Sequence, residues 1–182
     1  MNAPNCLVSN NKTENMKTGI FFGSSLGNTQ FVADKIQKQI PGSDCISVTY
    51  LTAEKILSYD LLILGTSTWG VGNLQDDFEL FVDLLLTLDL SDKTIALFGC
   101  GDQHTYPDTF CNGMGKLHQL LSEKETNIIG SWSIEGYDFS ESEAVSDDHF
   151  VGLALDEDNE PDLTNVRVAQ WTTILKEELQ AI

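Results

Sequence analysis

Short apolar runs alternate with stretches whose apolar residues recur every three or four positions, from about Lys17 to the end of the chain. That alternation predicts βαβ units and a parallel sheet covered by helices. "TGIFFG" reads as the first strand, and the helix after it sets Val32, Ile36 and Ile40 on one face before stopping at Pro41 and Gly42. "CISVTY" predicts a second strand, "YDLLILGTS" a central strand buried on both faces, and "KTIALFGCGD" a fourth. Between the third and fourth, Leu74, Phe78, Phe81, Val82 and Leu85 fall at helical spacing; Phe110, Met114, Leu117 and Leu121 stripe the next helix. "TNIIGSWSI" starts a fifth strand and "FVGLAL" resumes it. The polar, acidic segment from about Glu135 to Phe150 reads as an insertion within that strand. Thr164, Val168, Trp171 and Leu175 mark a closing helix, with "PDLT" supplying its N-cap. The expected fold is one α/β domain over 17–182, a doubly wound five-stranded parallel sheet with helices on both faces.

Charge narrows the partners. With 28 acids against 10 bases and a formal charge of −18 in 182 residues, the chain repels nucleic acid and anionic lipid and is drawn to basic protein surfaces. No apolar run reaches the ~20 residues of a membrane span. Cys6, Cys45, Cys100 and Cys111 are scattered, with no CxxC pair and no His at metal-ligand spacing, so neither zinc nor a redox dithiol is expected. Reduced thiols in a cytoplasmic protein are the expectation. Residues 1–16, polar and Asn-rich without a signal-peptide pattern, are expected to be a disordered extension.

In a doubly wound sheet ligands sit at the carboxyl ends of strands, and three loops follow such ends here: "GSSLGNT", "GTSTWGVGNLQ" and "GCGDQHTYPDTF". The first offers Ser24, Ser25, Asn28 and Thr29 as hydrogen-bonding side chains, Gly27 for close backbone approach, and the N–H groups of the following helix: an anion site. It lacks the lysine of a nucleoside-triphosphate loop and the spacing of GxGxxG, so a single terminal phosphate fits it better. In the second, Thr66, Ser67 and Thr68 suit a polyol, Trp69 offers an aromatic face, and Gly70 and Gly72 leave the backbone free. The third adds Gly101 and Asp102 amides for a ring edge and Tyr106 as a second aromatic face. Together they describe the shape of a flavin mononucleotide site.

On "TGIFFGSSLGNT", "LLILGTSTWGVGNLQ", "ALFGCGDQHTY", "GYDF" and "DDHFVGLALDEDNEPDLT" the chain resembles the long-chain flavodoxins from Lys17 to its last helix. The resemblance implies a flavodoxin-like sheet of order 2-1-3-4-5 with an interrupted last strand, one non-covalent FMN, and electron transfer between proteins. It assigns Ser24, Ser25, Leu26, Gly27, Asn28 and Thr29 to the phosphate loop, and Thr66, Ser67 and Thr68 to the ribityl chain and phosphate. Trp69 and Tyr106 flank the ring, Tyr106 stacking nearly parallel. Cys100, Gly101, Asp102 and Gln103 face its pyrimidine edge, and Asp158 is an acid near the ribityl group. Two departures stand out. Leu26 occupies a position where the family usually carries a third hydroxyl, which implies weaker phosphate binding, and Asn73 stands where an acid is common.

The implied function is a low-potential one-electron carrier, without substrate turnover of its own, cycling mainly between half-reduced and fully reduced flavin. The Gly70 carbonyl would accept a hydrogen bond from the flavin N5–H, and the chain's negative charge would lower the second potential. The expected state is a monomer making short-lived complexes with the basic faces of a reductase and an acceptor enzyme, guided by Asp76, Asp77, Glu79 and Asp83. The alternative on the same fold is an FMN-dependent quinone reductase fed by a nicotinamide cofactor.

Overall fold

The computed structural model describes residues 16–124 and 126–182; the expectation for residues 1–16 thus falls outside the described residues, Met16 apart. The first buried run forms β1 (Thr18–Phe22), whose five residues are all buried, and α1 (Asn28–Gln39) follows. β2 (Asp44–Ser47) is shorter than "CISVTY", because Val48–Tyr50 tighten into a 3-10 turn. The short helix α2 (Ala53–Leu57), which the apolar pattern does not announce, is capped by Thr52, whose hydroxyl accepts from Lys55 N. β3 (Leu61–Trp69) runs through the centre and folds back on β4 (Asn73–Leu74), so Leu74 precedes α3 (Asp76–Thr87) rather than opening it. β5 (Thr94–Cys100) and α4 (Asn112–Ser122) complete the unit.

The sheet order is β2-β1-β3-β5, with β6 (Asn127–Ile129) and β10 (Leu153–Leu155) both beside β5. All of these pairings are parallel. β6 lies along Thr94–Ala96 and β10 along Phe98–Cys100, so together they fill one strand position in two pieces. This is the 2-1-3-4-5 sheet with its fifth strand interrupted.

The insertion starts earlier than its acidic composition suggested. Gly130, at φ 85°, turns the chain out of the sheet, and Trp132–Ser133 form β7 of a separate antiparallel sheet, order β7-β9-β8, with β9 (His149–Phe150) and β8 (Val145–Ser146). Asp147 and Asp148, at φ 49° and 61°, make the two-residue turn between β8 and β9. Phe110, Tyr137, Phe139 and Phe150 cluster with ring centroids 5.0–5.9 Å apart and glue the insertion to the segment before α4.

One face of the sheet packs Phe21, Leu62, Leu64 and Leu97 against Phe78, Phe81, Leu85 of α3 and Met114, Leu117 of α4. The other packs Ile20, Ile63 and Phe98 against Val32, Ile36 of α1 and Val168, Trp171 of α5 (Thr164–Ala181). The N-cap of α5 falls within "PDLT" but not on a capping side chain: Pro161–Leu163 form a 3-10 turn that leads directly into α5, whose N-cap is Leu163 with no side-chain cap bond. The Thr164 hydroxyl instead bonds to the Glu157 carboxylate. No helix among the described residues is long and apolar enough to cross a membrane.

Candidate functional site

The carboxyl ends of β1, β3 and β5, with the segment after β10, surround a cleft of about 290 Å³. Its floor and walls come from all three loops singled out in the sequence. Ser24, Ser25, Leu26, Asn28 and Thr29 contribute from the first, Ser67 to Gly70 from the second, Cys100, Gly101, Asp102 and Tyr106 from the third. Asp158 closes the remaining side.

In the first loop Gly27 takes φ 99° as the N-cap residue of α1, which has no side-chain cap, so the helix's leading amides are left for another acceptor. Ser24 Oγ accepts the Gly27 N–H at 3.1 Å. Thr29, 1% exposed, carries a hydroxyl with no hydrogen-bond partner among the described residues. A buried hydroxyl left so costs about 1–3 kcal/mol. Leu26 is 82% exposed at the rim.

In the second loop the residues are tied to one another and to α4. Trp69 Nε1 donates to Ser67 Oγ at 2.9 Å, which holds the indole, 38% exposed, at the cleft edge. Gly113 N donates to Thr68 Oγ1 at 3.1 Å. Gly70 sits at φ 53°, where a side chain is strained, and a Cβ there would meet only Asn73 Nδ2, at 3.9 Å. Thr66 does not line the cleft: it is buried, and its hydroxyl donates to Ser67 O at 3.2 Å.

In the third loop burial penalises the Asp102 charge, but bonds from Thr105 N (2.8 Å), Asn159 Nδ2 (2.9 Å) and His104 N (3.1 Å) outweigh it and hold the carboxyl below the usual carboxylate range. Tyr106, 56% exposed, forms the opposite aromatic rim. The Cys100 thiol is pushed up to about 12, by burial first and by the Glu157 charge next, so it stays a neutral, non-nucleophilic wall. Gln103 lies apart from the cleft: it is buried, its N–H donates to Asp156 Oδ2 at 3.0 Å, and its Oε1 accepts Asp138 N at 2.7 Å. It braces the loop against the insertion.

Four further residues contribute, and nothing local in the sequence assigns them their roles. Gln75 caps α3 and reaches Ser25. Asp156, 1% exposed, accepts from the backbones of Gln103, Asp158 and Asn159, fastening the third loop to the end of β10. Thr109 and Phe110 line the cleft from behind Tyr106. Asp158 has its pKa raised, by burial first and then by the charges of Asp102 and Asp156. Among the described residues no group of His, Cys, Asp or Glu is arranged to hold a metal ion.

The arrangement offers unsatisfied donors at one end, hydroxyls along one wall and two aromatic rims at the other end. A flavodoxin family model matches residues 20–171. The chain is 43% identical over 165 residues to a flavodoxin of Synechococcus elongatus, covering 89% of this chain and 97% of that one. It is also 43% identical over 166 residues to flavodoxin 1 of Escherichia coli strain K12, covering 89% and 94%. Among solved structures, Fusobacterium nucleatum flavodoxin bound to flavin mononucleotide superposes with a TM-score of 0.84 at 29% identity, over 90% of this chain and 98% of that one.

Proposed function

The chain belongs to the flavodoxin family, and from that premise we propose that it carries electrons one at a time, on a non-covalently bound FMN, between a reductase and acceptor redox enzymes. It is an electron-transfer protein rather than an enzyme. The observation that carries the FMN reading is the Thr29 hydroxyl, buried and, among the described residues, without a hydrogen-bond partner beside the uncapped start of α1. A phosphate supplies the acceptors that this hydroxyl and those amides lack, and needs no lysine to do so. The partly exposed Trp69 and Tyr106 suit a flat conjugated ring at the other end.

Bound there, FMN supplies the redox chemistry, and the residues around it hold, orient and bias it. Ser24, Ser25, Gly27, Asn28 and Thr29 would take the phosphate, Ser67 and Thr68 the ribityl chain, Trp69 and Tyr106 the two sides of the ring, and the Cys100–Asp102 backbone its pyrimidine edge. The peptide after Gly70 is free to turn its carbonyl towards a ring N–H and hold a proton there. Asp158 and Asp102, both on the cleft, oppose added negative charge.

That opposition has a pH dependence. Because the Asp158 pKa is raised, its carboxyl takes up a proton earlier than an ordinary aspartate as pH falls, and its repulsion of the reduced cofactor fades there. Asp158→Asn is expected to raise the second one-electron potential by about 30 mV at neutral pH, about a threefold change in the equilibrium constant for an exposed charge. Spectroelectrochemical titration across pH should show wild type and variant converging at acid pH. A constant offset at every pH would remove Asp158 from this role.

The partners are assigned basic faces. Asp76, Asp77, Glu79 and Asp83 are exposed on α3, directly after the second loop, so encounter should be fast and salt-sensitive. The quinone reductase alternative is not favoured, since the relatives matched over most of the chain are flavodoxins. The test is stepwise anaerobic photoreduction of the FMN-reconstituted protein followed by visible absorption. Accumulation of blue, half-reduced flavin supports the carrier; passage straight to the fully reduced form, or turnover with a nicotinamide cofactor and a quinone alone, overturns it.

A further inference from the structure

Ser25 lines the cleft, yet its oxygen is engaged from behind. Gln75 Nε2 donates to Ser25 Oγ at 3.2 Å across fifty positions of sequence. Gln75 is 2% exposed, and the orientation of its amide is decided by its other partners. The Phe78 N–H, which can only donate, points at Oε1 at 3.0 Å. The Asp77 carboxylate, which accepts, lies 3.0 Å from Nε2. Both observations put the NH₂ group towards Ser25, so the serine oxygen is the acceptor and its own O–H hydrogen is left to point elsewhere. The cleft is where that hydrogen finds room, because Ser25 is exposed on that side.

We propose that Gln75 is a positioning residue that fixes the Ser25 hydroxyl as a hydrogen-bond donor to the phosphate of the bound cofactor, and so sets this protein's preference for phosphorylated over unphosphorylated flavin. The proposal rests on the FMN reading above. Two neighbours fit it. Ser24 Oγ is likewise occupied as an acceptor, by Gly27 N, and the Thr29 hydroxyl has no partner among the described residues, so three hydroxyl hydrogens are available to one anion. Leu26 offers none, and Ser25 supplies in its place a donor whose direction is set by the residue that caps α3. Gln75 also donates its own N–H to Thr66 Oγ1 at 3.5 Å, tying the phosphate loop to the strand that carries Trp69.

The test compares dissociation constants for FMN and riboflavin, which differ only in the phosphate, in wild type and Gln75→Glu. The glutamate keeps an oxygen for the Phe78 N–H, so α3 stays capped, but it can only accept, and it draws the Ser25 hydroxyl away from the cleft. FMN affinity is expected to fall about tenfold and riboflavin affinity by no more than about twofold. In a Ser25→Ala background the same substitution should cost FMN only about threefold or less, the part due to charge. Equal losses for both flavins mean that Gln75 merely supports the fold. An undiminished loss without Ser25 means that its field, not the hydroxyl, is at work. Unchanged FMN affinity means no role. Each of these outcomes overturns the proposal. If Gln75→Glu does not fold, Gln75→Met takes its place in the same cycle, with an expected drop of about threefold in the FMN-to-riboflavin affinity ratio only when Ser25 is present. Wild type binding both flavins equally would instead sink the FMN reading itself.

Discussion

Asp156→Ala is expected to lower stability by about 3 kcal/mol and to weaken FMN binding by about a hundredfold. The carboxylate is 1% exposed and is the common acceptor for Gln103 N (3.0 Å), Asp158 N (3.1 Å), Asn159 N (3.0 Å) and Asn159 Nδ2 (2.9 Å to the nearer oxygen). Alanine removes all of these at once, strands the buried Gln103 N–H and unties the amides of the exposed Asp158 and Asn159. Asn159 also holds Asp102, so the ring-edge loop and the segment bearing Asp158 would come apart together. Asp156→Asn keeps one oxygen and should retain most of the binding. Urea unfolding of the apoprotein and flavin fluorescence titration read the two effects. Normal FMN affinity in the alanine variant would show that the loops are held by other means.

Thr29→Val is expected to act with opposite signs on stability and binding. Valine has threonine's shape without the hydroxyl, and that hydroxyl is buried with no hydrogen-bond partner among the described residues. Removing it should leave the apoprotein as stable as before or more stable by about 1 kcal/mol. If the hydroxyl is kept for a charged phosphate oxygen, the same change should weaken FMN binding by about 1.5–3 kcal/mol, at least tenfold. Thermal unfolding of the apoprotein, set beside the FMN dissociation constant, separates the two. A variant that loses stability and keeps its affinity would assign the hydroxyl to the fold.

Much of the frame was legible because its signals are local. "YDLLILGTS" and "KTIALFGCGD" contain unbroken apolar runs at 61–65 and 95–100, and β3 and β5 are indeed buried across their sheet-paired lengths apart from Ser67. The three site loops follow strand ends in sequence, so their residues could be named before their positions were known. Less legible was anything decided by a partner far along the chain. The departure at Gly130 depends on Trp132 finding β9 rather than the main sheet. Gln103 and Thr66 carry polar groups of the right kind in the right loops, yet Asp138, Asp156 and Ser67 take their hydrogen bonds. Gln75 and Ser25 meet across two loops, and no spacing rule relates them. Polar pairing over long separations leaves no periodic trace, whereas burial does.

The divided fifth strand position bears on how the site comes together. β6 reaches β5 through α4 alone, whereas β10 reaches it only after the whole insertion has been closed. Closure entropy grows with the length of chain enclosed, so the piece of sheet edge that docks at the greater cost is the one followed at once by Asp156 and Asp158. Assembly would then run from the centre of the sheet outwards, with the cofactor's last wall raised at its end. An apoprotein should open first along that edge, and the bound cofactor would act as the clasp that keeps it shut.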